Sequence, residues 1–372
     1  MPSRYHVSGS PIYNGSLGSS MRSVVIILPD FRIGGAQRMV SELVRSLDYS
    51  HVEVHVICFN GRLAESRLEL IAEGSGAHIH YLPKGQSAFK RQKQCCEVLD
   101  ELKPDIIHAH LGGFQTALPW SVFHRVPILL TMHTTLPLAI NRRVLPFVPF
   151  LCERGLVHLV TVSKDNEDQA REFFSTAVSH IDCIENGVTA LDFKGPCEGA
   201  DPIYINVGTQ DDNKNQALII EAFKCLKRDY PDARLILVGD GSNHDRLEQM
   251  TDGDPSIELP GTTQDVPNWL SHGNVYVQSS FREGMPMSIL EAITNGLPVI
   301  STDVGGIHNV IDDLCGRLIS TGSLEEMVSA MRFYADSATR AMASRAARDR
   351  SRMFSAQAMA VRYSRLYDAY AR

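Results

Sequence analysis

The chain has 372 residues, 44% of them hydrophobic, and a formal net charge of −7. That length suits two domains with substantial cores, and the ordinary composition excludes a fibre or a disordered chain. Up to position 190 Lys+Arg and Asp+Glu balance at 18 each; the negative excess lies in the remainder, 18 against 25, which speaks against a nucleic-acid partner.

In chain order, Met1 to Ser20 are rich in Ser, Gly and Pro and lack the apolar core of a signal peptide, so they read as a disordered leader or an expression remnant. Short β-rich runs then alternate with helical patterns: Val24–Leu28, Val54–Ile57, Ile79–Leu82, Asp105–His108, Ile128–Leu130 and Leu159–Val162. Between the first two, Met39 to Leu47 carries apolar residues at helical spacing. Alternation of this kind predicts a parallel sheet with helices on both faces. Gly195, Pro196, Gly199 and Pro202 mark a break, after which the pattern starts again with Ile203–Val207, Leu235–Val238, Ile257–Leu259, Val275–Val277 and Val299–Ser301. The expected architecture is α/β: two Rossmann-like, doubly wound domains facing each other across a cleft. Their expected limits are a leader at 1–20, a first domain at 21–190, a linker at 191–201 and a second domain at 202–350. A C-terminal helix at 351–372, with Met359, Tyr363, Leu366, Tyr367 and Tyr370 on one stripe, is expected to pack on a domain rather than to do chemistry, with the first domain as its expected partner. The eight cysteines form no CxxC pair and have no His at zinc spacing, which points to a reducing, cytoplasmic compartment. No apolar run approaches the roughly 20 residues of a bilayer span, so membrane contact would be peripheral, on the cytoplasmic face.

The most informative stretch is Ser279–Gly296. Pro286 suits the first turn of a helix, Gly296 suits the position just past its end, and Pro298 blocks continuation. Glu283 then lies in a loop and Glu291 inside the helix. Between them, the free N–H groups near Gly284, Met285, Pro286, Met287 and Ser288 belong to a positive helix end, a ready place for phosphate (proline itself lacking an N–H). Carboxylates repel phosphate, so the pair makes sense only if each meets hydroxyl groups beyond it. A nucleotide diphosphate sugar has hydroxyls on both sides of its diphosphate.

Taken together, several motifs resemble glycosyltransferase family 4, retaining enzymes of the GT-B fold that use nucleotide sugars. They are Gly34-Gly35-Ala36 after the first strand, Asp105–His110, Thr131-Met132-His133, Ile184–Val188, Val207-Gly208 followed by Lys214-Asn215, Val238–Gly241, the two glutamates with seven residues between them, and Pro298–Gly306. The resemblance implies roles for single residues. Gly34 and Gly35 face the donor diphosphate and the acceptor, Lys214 neutralises the diphosphate, Glu291 binds the ribose, and Glu283 and His133 contact the transferred sugar. It implies no prosthetic group and no metal, and a UDP- or GDP-linked sugar as donor. The sequence departs from the pattern after Gly208, where an Arg is usual and Thr209 stands. Arg282 and Arg32 are the nearby candidates for the missing cation.

His108 and His110 alternate on one strand and share a face, which suits a structural or acceptor-side role. Arg142 and Arg143 precede an apolar run interrupted by Pro146 and Pro149, and Phe89–Lys93 adds basic charge. That pattern fits equally a surface resting on anionic lipid, where a lipid-linked or saccharide acceptor arrives, and an inter-domain helix with a solvated basic start. The expected activity is transfer of a hexose or N-acetylhexosamine to a hydroxyl, in surface polysaccharide or glycolipid synthesis. Two alternatives stand beside it: a nucleotide-sugar 2-epimerase of the same fold, and a non-catalytic sugar-nucleotide-binding subunit.

Overall fold

The computed structural model describes residues 21–63, 66–134, 140–190, 194–197, 199 and 201–371. The leader 1–20 and part of the 191–201 linker lie outside these. The first sheet is made of β1 (Arg22–Leu28), β2 (Val52–Cys58), β3 (His78–Tyr81), β4 (Ile106–His110), β5 (Ile128–Met132), β6 (Val157–Thr161) and β7 (Ile181–Cys183), ordered β3-β2-β1-β4-β5-β6-β7. The second is made of β8 (Ile203–Val207), β9 (Arg234–Val238), β10 (Ile257–Gly261), β11 (Val275–Gln278), β12 (Val299–Thr302) and β13 (Gly316–Ile319), ordered β10-β9-β8-β11-β12-β13. The named pairings are parallel, and Val24 to Leu28 are wholly buried, because helices cover both faces and neither can be polar. Strands β7 and β13 have no counterpart among the sequence-based expectations. Both are short edge strands whose polar residues, Asp182 in one and Arg317 in the other, hide the apolar signal.

This topology decides where a ligand can sit. In each sheet the strand order reverses beside one strand, β1 in the first and β8 in the second, which leaves a crevice at the carboxyl ends. The Gly34-Gly35 loop follows β1 and Gly208 follows β8, so both glycine turns open at these crevices. One apolar cluster crosses from half to half, joining Val24, Ile26, Met39 and Leu43 to Met285, Met287, Ile289 and Leu290.

The C-terminal helix, Ala356–Tyr370, returns from the second half onto the first sheet. The Ser355 hydroxyl accepts from Ala358 N–H and caps it, and the Val188 N–H donates to the Phe354 carbonyl at 2.9 Å. The ring of Tyr370 stacks on His158 at 3.6 Å between centroids. Among the described residues no helix is long and apolar enough to cross a membrane.

Candidate active site

The loop after β11 is tied down before it reaches the helix. The Ser279 hydroxyl lies 3.0 and 2.8 Å from the carbonyls of Lys214 and Asn215, Phe281 N–H donates to the Asn213 carbonyl, and the Thr302 hydroxyl donates to that of Ser280. The helix Met287–Thr294 follows, with Pro286 as N-cap and no side chain capping its first turn. Gly296, just past its end, has φ +80, a conformation that favours glycine. The uncapped turn opens on a cavity of about 360 Å³ between the two halves, whose lining includes Gly34, Gly35, Gly208, Thr209, Gly284, Met285, Pro286, Met287 and Ser288. His133, Lys214, Glu283 and Glu291 line it too.

In this structure the two charged groups nearest the loop hold each other. Lys214 Nζ lies 2.6 Å from Glu283 Oε1, and Gln278 Nε2 donates to the same oxygen at 3.2 Å. The side chains are 23% and 10% exposed, so the pair is reachable from the cavity and only partly screened by water.

Neither of the two arginines that the sequence offers as a second cation lines the cavity. Thr209 turns its hydroxyl to Asp211 at 3.0 Å. Arg282 is exposed and stands outside the cavity lining, with its carbonyl accepting from Asn213 Nδ2. Arg32 is clamped on Asp30, Nη2 to Oδ2 at 2.6 Å. Burial pushes the Asp30 carboxyl up, but the hydrogen bonds and charge of Arg32 outweigh it and hold it below the ordinary carboxylate range. The arginine in the lining is Arg38, one turn into the helix Gly35–Ser46, between Glu42 at 2.9 Å and Glu291 at 3.0 Å. Its only signal in the sequence is an i,i+4 pair with Glu42, a pattern that ordinarily marks a solvated helix face.

From the other side, Gly284 meets the end of β5. A Cβ at Gly284 would lie 2.4 Å from the His133 carbonyl oxygen, so only glycine lets the loop come this close. Asn186 Nδ2 donates to the Met285 carbonyl at 2.9 Å and secures the same loop from the first half. Behind His133 runs a buried polar chain. His133 Nε2 and His110 Nδ1 are 2.9 Å apart, and the rings of His110 and His108 lie 4.2 Å apart. His108 Nδ1 meets the Tyr367 hydroxyl at 2.7 Å and its Nε2 meets Thr131 Oγ1 at 2.8 Å, which in turn meets the Tyr363 hydroxyl at 3.1 Å. Burial pushes His133 down to about 4, His108 down to about 3, and His110 well below the usual histidine value. All three imidazoles are therefore neutral at physiological pH.

A second, wider groove of about 1030 Å³ borders His133 on the first half. Phe89, Arg91, Gln92 and Arg142 line it, whereas Arg143 does not and uses its N–H on Asn141 Oδ1. Further along the chain, Phe147 and Phe150 are exposed, while Val148 and Leu151 from the same run are buried.

Comparison with known proteins gives a consistent result. The family model for glycosyltransferase family 4 matches residues 33–190, and that for glycosyl transferases group 1 matches residues 201–336. The chain is 27% identical over 284 residues to a sulfoquinovosyl transferase of Arabidopsis thaliana, an alignment covering 68% of this chain and 54% of that protein. It is 30% identical over 136 residues to an Escherichia coli UDP-Gal:alpha-D-GlcNAc-diphosphoundecaprenol alpha-1,3-galactosyltransferase, covering 35% of each. The chain thus spans about half the length of the first of these relatives and about a third of the second. Among solved structures, Anabaena HepE in complex with UDP-glucose superposes with a TM-score of 0.77 at 17% identity, covering 94% of this chain and 100% of that one, which establishes the shared fold.

Proposed function

The chain belongs to the glycosyltransferases of the GT-B fold, in family 4 and group 1, and from that premise we propose that it transfers a hexose or N-acetylhexosamine from a nucleotide diphosphate sugar to a hydroxyl acceptor, with retention of anomeric configuration. The observation that carries this reading is the single cavity in which an uncapped helix end, Lys214, Glu283, Glu291 and His133 meet. The helix N–H groups and Lys214 take the diphosphate, Lys214 leaving Glu283 as it does so. Glu283 then accepts hydrogen bonds from the sugar hydroxyls, and Glu291 accepts them from the ribose. His133, neutral, keeps one N–H to orient the sugar without adding a charge at the reacting carbon.

The acceptor oxygen attacks C1 on the face from which the diphosphate departs. The C1–O bond to the diphosphate breaks, the new glycosidic bond forms, and the acceptor proton passes to a diphosphate oxygen. Negative charge grows on the leaving group, so preorganised donors around it lower the barrier most. In this reading residues 21–190 form the acceptor domain, residues 202–350 the donor domain, and the segment 351–372 contributes the helix Ala356–Tyr370 that braces the first half.

UDP is the favoured donor base, supported by the UDP-glucose in the HepE complex. The groove beside His133 takes the acceptor, a saccharide or a lipid-linked saccharide as in the name of the E. coli relative. Arg142 lies in that groove, and Phe147 and Phe150 further along the same segment are exposed, the makings of a peripheral membrane contact on the cytoplasmic face. A thermal-shift screen against UDP, GDP, ADP and their sugars tests the donor site: one nucleotide should raise the melting temperature by mass action, and no shift with any of them overturns the reading. Product anomeric configuration read by NMR tests retention, and a C2 epimer formed without acceptor would replace transfer by epimerisation.

A further inference from the structure

The contact between Arg38 and Glu291 joins the two halves of the molecule at the cavity. Arg38 Nε lies 3.0 Å from Glu291 Oε1, and Arg38 Nη2 lies 2.9 Å from Glu42 Oε1. The three side chains are 9%, 6% and 0% exposed, in the order Arg38, Glu291, Glu42. Glu42 Oε2 is engaged as well, accepting from the Thr189 hydroxyl at 2.6 Å and from the Thr189 N–H at 3.2 Å. Thr189 belongs to the chain that leaves the first sheet for the second. One guanidinium is thus held from behind by a carboxylate that is itself anchored to the inter-domain crossing.

This arrangement decides between two roles for a buried cation. A group meant to swing onto a diphosphate needs a loose tether and a solvated path, as Lys214 has. Arg38 has neither, because its guanidinium already stands at ion-pair distance from two carboxylates in a place with little water, where leaving an ion unpaired is costly. Its charge, 3.0 Å from Glu291 Oε1, instead holds that carboxylate in place. A carboxylate that reads the two adjacent hydroxyls of a ribose must present its oxygens in one orientation, and a side chain with free rotation would not.

We infer that Arg38 is a positioning residue for ribose recognition: from the first half it orients Glu291 of the second half, so that discrimination between ribose and 2′-deoxyribose depends on a contact across the cleft. The inference rests on the reading of Glu291 as the ribose ligand. It also means that ribose is read fully only when the two halves are closed, since separation would part Arg38 from Glu291.

The test is calorimetric binding of UDP and 2′-deoxy-UDP, with GDP and 2′-deoxy-GDP in parallel, to wild type, Glu291→Gln, Arg38→Met, Arg38→Lys and Lys214→Met. Wild type should prefer the ribonucleotide by roughly 10- to 100-fold, the range for a hydrogen bond to a charged group. Glu291→Gln should largely abolish that preference. Arg38→Met should bring it close to the Glu291→Gln value, and Arg38→Lys, which keeps the charge without the fork, should lose part of it even where Arg38→Met is too unstable to measure. Lys214→Met should weaken both nucleotides alike and leave the ratio in place, which a general loss of structure would not do. If Glu291→Gln keeps the wild-type ratio, the reading of Glu291 falls and the inference with it. If Glu291→Gln loses the ratio while both Arg38 variants keep it, the inference alone is overturned.

Discussion

The two walls of the cleft meet at Gly284 and His133 but are built differently. Around Glu283 the wall is charged, and its central pair, Lys214 and Glu283, is partly exposed and 2.6 Å apart. Around His133 the wall is uncharged: three imidazoles kept neutral by burial, tied through Thr131 to two tyrosines of the C-terminal helix. A partly exposed ion pair facing the cavity can trade its carboxylate for a phosphate, because the incoming anion replaces the charge that leaves. A buried neutral chain cannot gain or lose a charge so easily, and its rings are wedged by packing. The charged wall is therefore suited to respond to a ligand, and the neutral wall to hold the reference position against which it responds.

The sharpest way to break this contrast is on the charged wall. Lys214→Met removes the mobile cation, and kcat should fall by roughly 10²–10³-fold, as for loss of one preorganised charge-stabilising contact. Steady-state transfer retained within a few-fold of wild type would show that Lys214 serves only Glu283. A smaller effect is expected where the walls touch. In Gly284→Ala the new Cβ would lie 2.4 Å from the His133 carbonyl oxygen and force the walls apart. Overpacking of this kind costs about 1–3 kcal/mol. Urea denaturation beside Gly199→Ala, where a Cβ meets nothing within 4 Å, should show the loss in the first variant alone. Equal midpoints for the two would mean that the contact yields freely.

The smallest effect is a slope on the neutral wall. His133 and His108 titrate in the folded protein at about 4 and about 3, below the ordinary 6.5, because burial disfavours the charged ring. As pH falls below about 6.5 the unfolded chain therefore binds more protons than the folded one, and stability declines through the window down to those folded values. At pH 6 the loss should be under about 1 kcal/mol for each buried imidazole, and it should grow below that. His110→Asn should match wild type more closely at pH 5 than at pH 8 in denaturant midpoint. Parallel curves for the two proteins would mean that His110 titrates alike in both states.

Much of this site is legible in the chain because it is local. The uncapped helix end, Glu283 and Glu291 come from one continuous stretch, and a proline and a glycine at its two ends specify the helix whatever surrounds it. Gly34-Gly35 and Gly208 each follow a strand that its apolar run makes plain. The edge strands β7 and β13 were less legible, since three or four residues with a charge among them carry no clear pattern. Arg38 was not legible at all, because an arginine four residues before a glutamate on a helix looks the same whether water or another domain lies outside it.

The sequence by itself determined two parallel α/β sheets, the glycine turns at their crevices and the loop and helix that offer N–H groups and carboxylates to one place. Each follows from spacing within a few residues, where backbone sterics and side-chain period leave few choices. The tertiary structure alone decided that Arg38 rather than Arg282 or Arg32 reaches the cavity, that Lys214 rests on Glu283, and that His110 and His108 stand behind His133 under Tyr363 and Tyr367. Those contacts join segments up to 259 residues apart. They depend on how the two halves and the returning helix dock, which is set by apolar area summed over the whole interface and leaves no mark at any single position.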